Sequence, residues 1–327
     1  MSAADAWFDG GERVGYDPTT RAIVRSGDAP LHVFLRSEGA SAHAVTFLPG
    51  YPDGSVGWAK VHAHLPRELP KVFVEYVGMG DSDKPQDHAY STAERTDLVE
   101  AVWRDLGVAS TTLVAFDFSS LVVLEHLRRR LEDQDHAGPA IRGVLLFNGG
   151  LFPDGHTHPW YTTPVLRRLP KRARGGLGTS VRLFRLVAGC MWSKGYRVTD
   201  DELRDLLGVM HRRDGMFYLA AAAGFVADHE AQGERLDFGA LYRAYAGQFP
   251  ILVAGSDEDR FEHRQVDLAE ERLGLRVERL PGGHLTTSEQ PEALAALIAK
   301  FARTAGYRFE PSGSTKDASG AVVLPTS

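Results

Sequence analysis

The stretch "LVAFDFSSLVV" places Asp117 where a short apolar run gives way to an amphipathic one. An ionised carboxylate left unpaired in apolar surroundings is costly, so the position implies either exposure or a task. The residues two before and two after it are Ala115 and Ser119, both small. Small-x-nucleophile-x-small is the pattern of a strand-to-helix turn so tight that its flanks must be small. Such a turn pushes the central side chain out at the C-terminal edge of a sheet and aims a helix N-terminus at it. Alone, the pentapeptide reads equally well as an N-cap aspartate. Partners follow downstream. "ILVAGSDEDRF" puts Asp257, Glu258 and Asp259 just after an apolar strand, and "VERLPGGHLTTSEQPEAL" puts His284 in a Gly-Gly turn before the last helix. With nucleophile, acid and histidine in that order, each at a strand end, the histidine can reach the elbow and an acid can orient its imidazole. Spacing leaves all three acids open for that role.

An aspartate nucleophile defines a reaction class. A serine attacks acyl carbon. A carboxylate instead displaces a leaving group from saturated carbon, giving an alkyl ester that water cleaves at the enzyme's own carbonyl. Ordinary esterase chemistry is therefore not expected. Ser119 and Ser120 do not restore it, because a turn centred on Ser119 would have Phe118 beside it and Asp117 and Leu121 at the positions that must be small.

The elements that must position these groups alternate. Strands are predicted at 31–37, 43–49, 71–77, 111–116 and 141–148, with helices at 91–107 and 119–132. Short, nearly continuous apolar strands separated by amphipathic helices indicate a mostly parallel sheet covered on both faces. From about 152 to 247 the pattern is helical only: 179–192, 200–213, 215–228 and 234–247. Thr199 and Glu202 form a capping box for the second of these. The βα rhythm returns at 249–255, 264–273, 275–281 and 291–306. The expected organisation is an α/β core (1–151 and 248–309), a helical insertion (152–247) and a small, polar, disordered tail (310–327).

Bulk properties narrow the function. The 327 residues, 43% hydrophobic, suit one large α/β unit with an insertion. A net charge of −6 argues against a nucleic-acid partner. No apolar run approaches membrane-spanning length, and "MSAADAWFDGGER" lacks a basic start followed by an apolar stretch, so no secretory signal is expected. The single cysteine, Cys190, excludes an intrachain disulfide and a cysteine metal cluster, and makes a cytoplasmic setting the default. His62 with His64, and His156 with His158, are spaced like metal pairs but have no companion set. No metal and no cofactor are expected. The basic run "LRRLPKRARGG" (166–176) reads as a solvated face. A small hydrophobic molecule is the expected partner, and a homodimer stays open.

On "FLPGYPDGSVGWAKV", "VEYVGMGDSDKP", "LVAFDFSS", "GVLLFNGGLFP" and "GGHL" the chain resembles the α/β-hydrolase fold, in its epoxide hydrolase and haloalkane dehalogenase branch. "FNGGLFP" and the insertion are also similar to the mesoderm-specific-transcript-like hydrolases. The resemblance implies that the insertion is a cap domain, that Asp117 is the nucleophile, and that His284 is the base for water. It implies Asp259 as the acid, because "DRF" begins there as similar residues do in the family. It assigns the oxyanion hole to the backbone N–H groups of Tyr51 and Phe118. It makes the cap residues Trp160, Tyr161, Trp192 and Tyr218 the candidates for contact with substrate, tyrosines for an epoxide oxygen and tryptophans for a halide.

Two departures bear on the leaving group. Pro49 stands where the family usually has histidine, and Phe118 where it usually has tryptophan. Phenylalanine has no N–H to offer a halide. The resulting order of expectation is an epoxide hydrolase-like activity, then a haloalkane dehalogenase-like one, then a ligand-binding protein that keeps the triad without turnover.

Overall fold

The computed structural model describes residues 2–133, 136, 138–157, 181–217, 231, 235–309, 315–316 and 322–323. Nine strands form one sheet: β1 (Glu12–Asp17), β2 (Ala22–Val24), β3 (Leu31–Glu38), β4 (His43–Leu48), β5 (Lys71–Val74), β6 (Ser110–Phe116), β7 (Ala140–Phe147), β8 (Ile251–Ser256) and β9 (Val277–Leu280). Their order is β2-β1-β3-β5-β4-β6-β7-β8-β9. The pairs among β1, β2, β3 and β5 that touch are antiparallel. From β5 onward every pair is parallel. Every residue of β6 is buried, as the continuous apolar run requires of a central parallel strand covered on both faces.

The helices Thr92–Asp105, Ser119–Glu132, Gln265–Leu273 and Pro291–Thr304 lie within two residues of the ranges the periodicity predicts. The sequence did not reveal the helix Ala3–Asp9 or the hairpin β1–β2. The hairpin strands are short and half-buried, and their apolar residues do not alternate. Trp7 and Phe8 nevertheless join the core.

In the insertion, the helices Val181–Ala188, Asp200–His211 and Phe238–Tyr245 are described. The capping box at Thr199 and Glu202 is present in both directions. The helix anticipated at 215–228 lies mostly outside the described residues. In the tail, Thr315–Lys316 and Val322–Val323 pair antiparallel. No helix among the described residues is long and apolar enough to cross a membrane.

A buried aromatic cluster sits beneath the functional end of the sheet. Phe47 stacks on Phe73 at 4.6 Å, and Trp58 packs edge-on to both Phe47 and Phe116. Phe116, the last residue of β6, thus carries the turn that follows on an apolar support.

Candidate active site

Asp117 follows β6 directly and precedes the helix Ser119–Glu132, with φ of +55°. That left-handed conformation is strained for a residue with a side chain. It is held in place by its surroundings. The Asp117 N–H donates to Phe147 O at 3.0 Å, and the carbonyl accepts from Ser120 N and, at 2.6 Å, from Ser120 Oγ. The small flanks are needed as the sequence implies. Ser119 Oγ is fully buried, donating to Pro49 O and bonded to Tyr76 OH at 2.9 Å. Both serines are buried and brace the turn through backbone carbonyls. Gly50 faces the same turn: a Cβ there would stand 2.2 Å from the Phe116 ring and 3.0 Å from Asp117 Cβ.

The carboxylate of Asp117 has two distinct environments. Oδ2 accepts the backbone N–H of Tyr51 at 2.8 Å. Oδ1 stands 3.6 Å from His284 Nε2. His284 comes from the turn after β9 and is 4% exposed. Its other nitrogen, Nδ1, donates to Asp259 Oδ2 at 2.9 Å. Asp259 Oδ1 in turn accepts the N–H groups of Phe261 at 2.8 Å and Glu262 at 3.2 Å. The structure thus brings Asp117, His284 and Asp259 into one line, each from a different strand end. Of the three acids after β8, Asp257 and Glu258 are turned elsewhere; Glu258 Oε2 accepts from Lys194 N at 3.1 Å.

Burial pushes the His284 imidazole toward its neutral form, but the charges and hydrogen bonds of Asp259 and Asp117 outweigh this, and its pKa lies well above the usual histidine value. The two carboxylates thus favour the charged form of the imidazole. Its ring packs against Phe116 at 5.5 Å and Phe261 at 5.0 Å, which fixes its plane.

Asn148 holds the far side. It follows β7 with φ of +46° and is 2% exposed. Its Nδ2 donates to Ser256 Oγ at 2.9 Å and to the His284 carbonyl at 2.8 Å, and its Oδ1 accepts from Ser256 N at 2.9 Å. One side chain therefore ties the ends of β7 and β8 to the histidine turn. The asparagine after a strand was its only sequence signal.

Three further buried acids had no distinctive signal as such. Asp53 lies two residues after Tyr51; burial and the charge of Asp117 push its carboxyl up to about 7. Glu75 is fully buried and accepts from Ser55 N and Ser55 Oγ, and burial pushes it up to about 8. Glu262, bonded to His156, is pushed up to about 7 by burial. His156 is thus in a carboxylate pair, with its pKa raised: burial opposes the charge, but Glu262 prevails.

Of the anticipated cap residues, Trp160, Tyr161 and Tyr218 lie outside the described residues. Trp192 is described and buried, and its Nε1 has no hydrogen-bond partner among the described residues. Two other cap tyrosines are engaged elsewhere, Tyr196 OH with Glu202 and Tyr245 OH with Leu127 O. Phe118 is buried, with the Arg95 guanidinium 4.7 Å from its ring. The segment around Met191 and Ser193 is tied to the histidine turn. Leu285 N donates to Met191 O at 2.9 Å, and Glu289 Oε1 accepts from both Ser193 N and Gly283 N. A Cβ on Gly283 would stand 2.4 Å from Ser193 N.

Glu100, His126 and His136 are a group among the described residues that could offer three ligand atoms within 4.8 Å. Both histidines already bond Glu100 Oε1, and Arg129 Nη1 sits 3.3 Å from Glu100 Oε2, so a cation would have to displace an existing network.

No family model matches the chain. It is 32% identical over 187 residues to the mouse mesoderm-specific transcript protein, covering 54% of this chain and 53% of that one. The chain thus spans about half the length of the curated relatives of that name. It is 27% identical over 299 residues to a fluoroacetate dehalogenase from Burkholderia sp, covering 86% of this chain and 93% of the relative. Among solved structures it superposes on a haloalkane dehalogenase from Bradyrhizobium elkani with a TM-score of 0.65 at 20% identity, covering 85% of this chain and 97% of the other. The sheet order, the strand-end positions of the site and these likenesses agree on an α/β-hydrolase fold.

Proposed function

We propose that this α/β-hydrolase-fold chain is a cofactor-independent hydrolase that works through an alkyl ester on Asp117, with epoxide ring opening as its reaction. The observation that carries the reading is the split environment of the Asp117 carboxylate: Oδ2 anchored by the Tyr51 N–H, and Oδ1 left toward His284. Oδ1 attacks a saturated ring carbon, the C–O bond breaks with its electron pair on the ring oxygen, and that alkoxide takes a proton from solvent water, leaving hydroxide. The product is a hydroxyalkyl ester of Asp117.

Ester formation removes the negative charge of Asp117, one of the influences that hold His284 protonated. The hydroxide left by that protonation takes the His284 proton as water, and the neutral imidazole is then a competent base. It takes a proton from water, and the hydroxide attacks Asp117 Cγ. The Tyr51 N–H, already bonded to Oδ2, would hold the oxyanion that forms there, with the Phe118 N–H as the second donor that the family resemblance implies. Collapse breaks the ester C–O bond, releases a diol and restores the carboxylate with one oxygen from water. Asp259 keeps the imidazole oriented throughout. The buried, braced turn supports preorganisation, since Asp117 does not need to move to present Oδ1.

Haloalkane dehalogenation is the second reading, supported by the likeness to the fluoroacetate dehalogenase and by Trp192 Nε1, which has no hydrogen-bond partner among the described residues. A triad retained for ligand binding alone is the third. Single-turnover reaction in ¹⁸O water, followed by mass analysis of the Asp117 peptide, tests the shared mechanism. Label entering that carboxylate supports the ester, and turnover with no label in it overturns it. Diol release against halide release from matched substrates separates the first two readings, and saturable binding without turnover identifies the third.

A further inference from the structure

A second histidine–carboxylate pair lies beside that of the triad, and the mechanism above does not use it. Glu262 is 4% exposed, and its Oε1 is bonded to His156 Nδ1. Its other oxygen accepts from Gln265 Nε2 at 2.9 Å. His156 belongs to the chain that leaves β7 toward the insertion. Glu262 lies three residues after Asp259, in the turn that follows β8.

The pair holds the backbone under the triad acid. Asp259 Oδ1 accepts the N–H groups of Phe261 and Glu262, at 2.8 and 3.2 Å. The direction of Oδ2 toward His284 is therefore only as fixed as those two peptides. They lie in a turn, ahead of the helix Gln265–Leu273. The chain leaving β7 clamps that turn from outside. Thr157 N donates to Phe261 O at 2.9 Å, and Thr157 Oγ1 to Arg260 O at 2.9 Å. Gln265, which holds Glu262, also accepts from Phe152 N at 2.8 Å and donates to Phe152 O at 3.0 Å. The Phe261 ring packs on His284 at 5.0 Å. A shift of this turn would move both the acid and one wall of the imidazole.

Packing alone does not explain the choice of residues. Apolar side chains of similar volume often replace a buried ionisable pair with no loss of stability. Burial raises the Glu262 carboxyl, His156 opposes this, and the charge of Asp259 adds to it. A carboxylate offers direction instead. With each oxygen on its own partner, the side chain is set, and with it the peptide that points at Asp259. We propose that Glu262 and His156 are positioning residues for Asp259, tying the triad acid to the chain that enters the insertion. Their effect on turnover rests on the proposed ester mechanism; their effect on the bond between His284 and Asp259 does not.

The test uses the full chain and two readouts at one pH. The ¹⁵N shift of His284 Nδ1 reports its bond to Asp259. It is read through the carbon-bound ring protons, so solvent exchange does not hide it, and it is assigned by its loss in His284→Gln. The kinetic readout is kcat and KM on styrene oxide. The double variant His156→Leu/Glu262→Leu removes both polar partners and leaves no lone charge behind. It should melt close to the parent chain, and its Nδ1 shift should move toward that of a free histidine. Its kcat should fall roughly 10- to 100-fold with KM nearly unchanged, the scale of a small misplacement of a catalytic group. Asp154→Ala, which removes an exposed ion pair with Arg272 from the same stretch of chain, should change neither readout. A folded double variant with the parent's Nδ1 shift overturns the proposal, since the pair would then be packing alone. If the double variant does not fold, two single variants decide. His156→Asn keeps a donor near Nδ1 and loses the ring; His156→Phe keeps the ring and loses the donor. The Nδ1 shift of the asparagine variant should stay nearer the parent's, and an equal or reversed order overturns the proposal. A displaced Nδ1 shift in variants of a parent chain that does not turn over styrene oxide upholds the positioning role and counts against the epoxide reading. Turnover by the parent with an undisplaced Nδ1 shift in the variants does the reverse.

Discussion

Asp259 Oδ2 lies 2.9 Å from His284 Nδ1, while its other oxygen is fixed by two backbone N–H groups. The acid is therefore preset to hold one tautomer and one ring orientation. Asp259→Asn keeps the shape but offers an amide where an acceptor is needed. Turnover should fall on the order of 10³- to 10⁴-fold, by the same logic that makes the acid indispensable in serine-based triads. Glu258→Gln, which touches only the Lys194 N–H, should stay within about twofold. Steady-state kinetics on the two variants checks the assignment, and a larger loss in the Glu258 variant would reverse it.

His284 should titrate lower once Asp117 loses its charge. Burial disfavours the imidazolium, and Asp259 and Asp117 together overcome it. In Asp117→Asn, the Asp117 contribution disappears and that of Asp259 remains. The His284 Hε1 resonance, followed by NMR against pH, should therefore move its midpoint downward relative to the parent chain. An unchanged midpoint would mean that Asp117 does not hold the proton on His284, and the proposed release of the base by ester formation would fail with it.

Asn148 should matter to both stability and turnover. Asn148→Ala removes three hydrogen bonds among buried partners and leaves an alanine in a left-handed conformation. Each orphaned buried group costs about 1–3 kcal/mol. Asn148→Asp keeps an acceptor for Ser256 N but cannot donate to the His284 carbonyl. Denaturant melts should show both variants destabilised. Turnover normalised to folded protein should fall in both, because the histidine turn loses its tether. Full specific activity in the folded fraction of either would reduce Asn148 to a packing residue.

The sequence carried the parts of the fold that follow from periodicity. The second halves of β6 and β7, Leu113–Phe116 and Val144–Phe147, are continuous apolar runs because they are covered on both faces, and the helix Ser119–Glu132 matches its predicted limits. The site was legible as an order of residue types at strand ends. Choosing Asp259 from three neighbouring acids needed the family resemblance at the sequence level, because strand-end spacing has a tolerance of a residue or two and the acids are adjacent. The structure separates them by direction. Asp53 and Glu75 were not legible. Both depend on glycines, Gly57 and Gly54, whose missing Cβ atoms make room for a carboxyl group from another position. A glycine in sequence does not say which side chain fills its space. The hairpin β1–β2 was missed because half-buried short strands carry no alternation.

Gly50→Ala should uncouple the elbow from the loop that anchors it. A methyl group there would overlap the Phe116 ring and press on Asp117 Cβ. The backbone that supplies the Tyr51 N–H would have to retreat, lengthening its bond to Asp117 Oδ2. Losing one oxyanion donor costs roughly 10²- to 10³-fold in turnover. If the variant folds, the deficit should fall on ester hydrolysis, so the covalent intermediate should accumulate and be visible by mass spectrometry of the intact chain. A variant that loses activity with no trapped ester would place the damage in the first step instead.

Glu75 should give the fold a stability that declines with rising pH. Burial raises its carboxyl to about 8 from an unfolded value of 4.5. Between those values the folded chain keeps a proton that the unfolded chain has released. The folded state then binds more protons, so stability falls as pH rises through the window, by up to about 1.4 kcal/mol per pH unit from this group. Below about 4.5 both states are protonated and the contribution is fully present. The groups that oppose the shift are the Ser55 hydroxyl and N–H and the charge of Lys84, while Asp53 reinforces it. Glu75→Gln cannot titrate and can still accept from Ser55. The stability of the variant relative to the parent should therefore rise steadily from pH 5 to pH 8 and level off above. Chemical denaturation at four or five pH values measures this directly. A difference that stays flat across the window would mean that Glu75 is ionised throughout, held by Lys84.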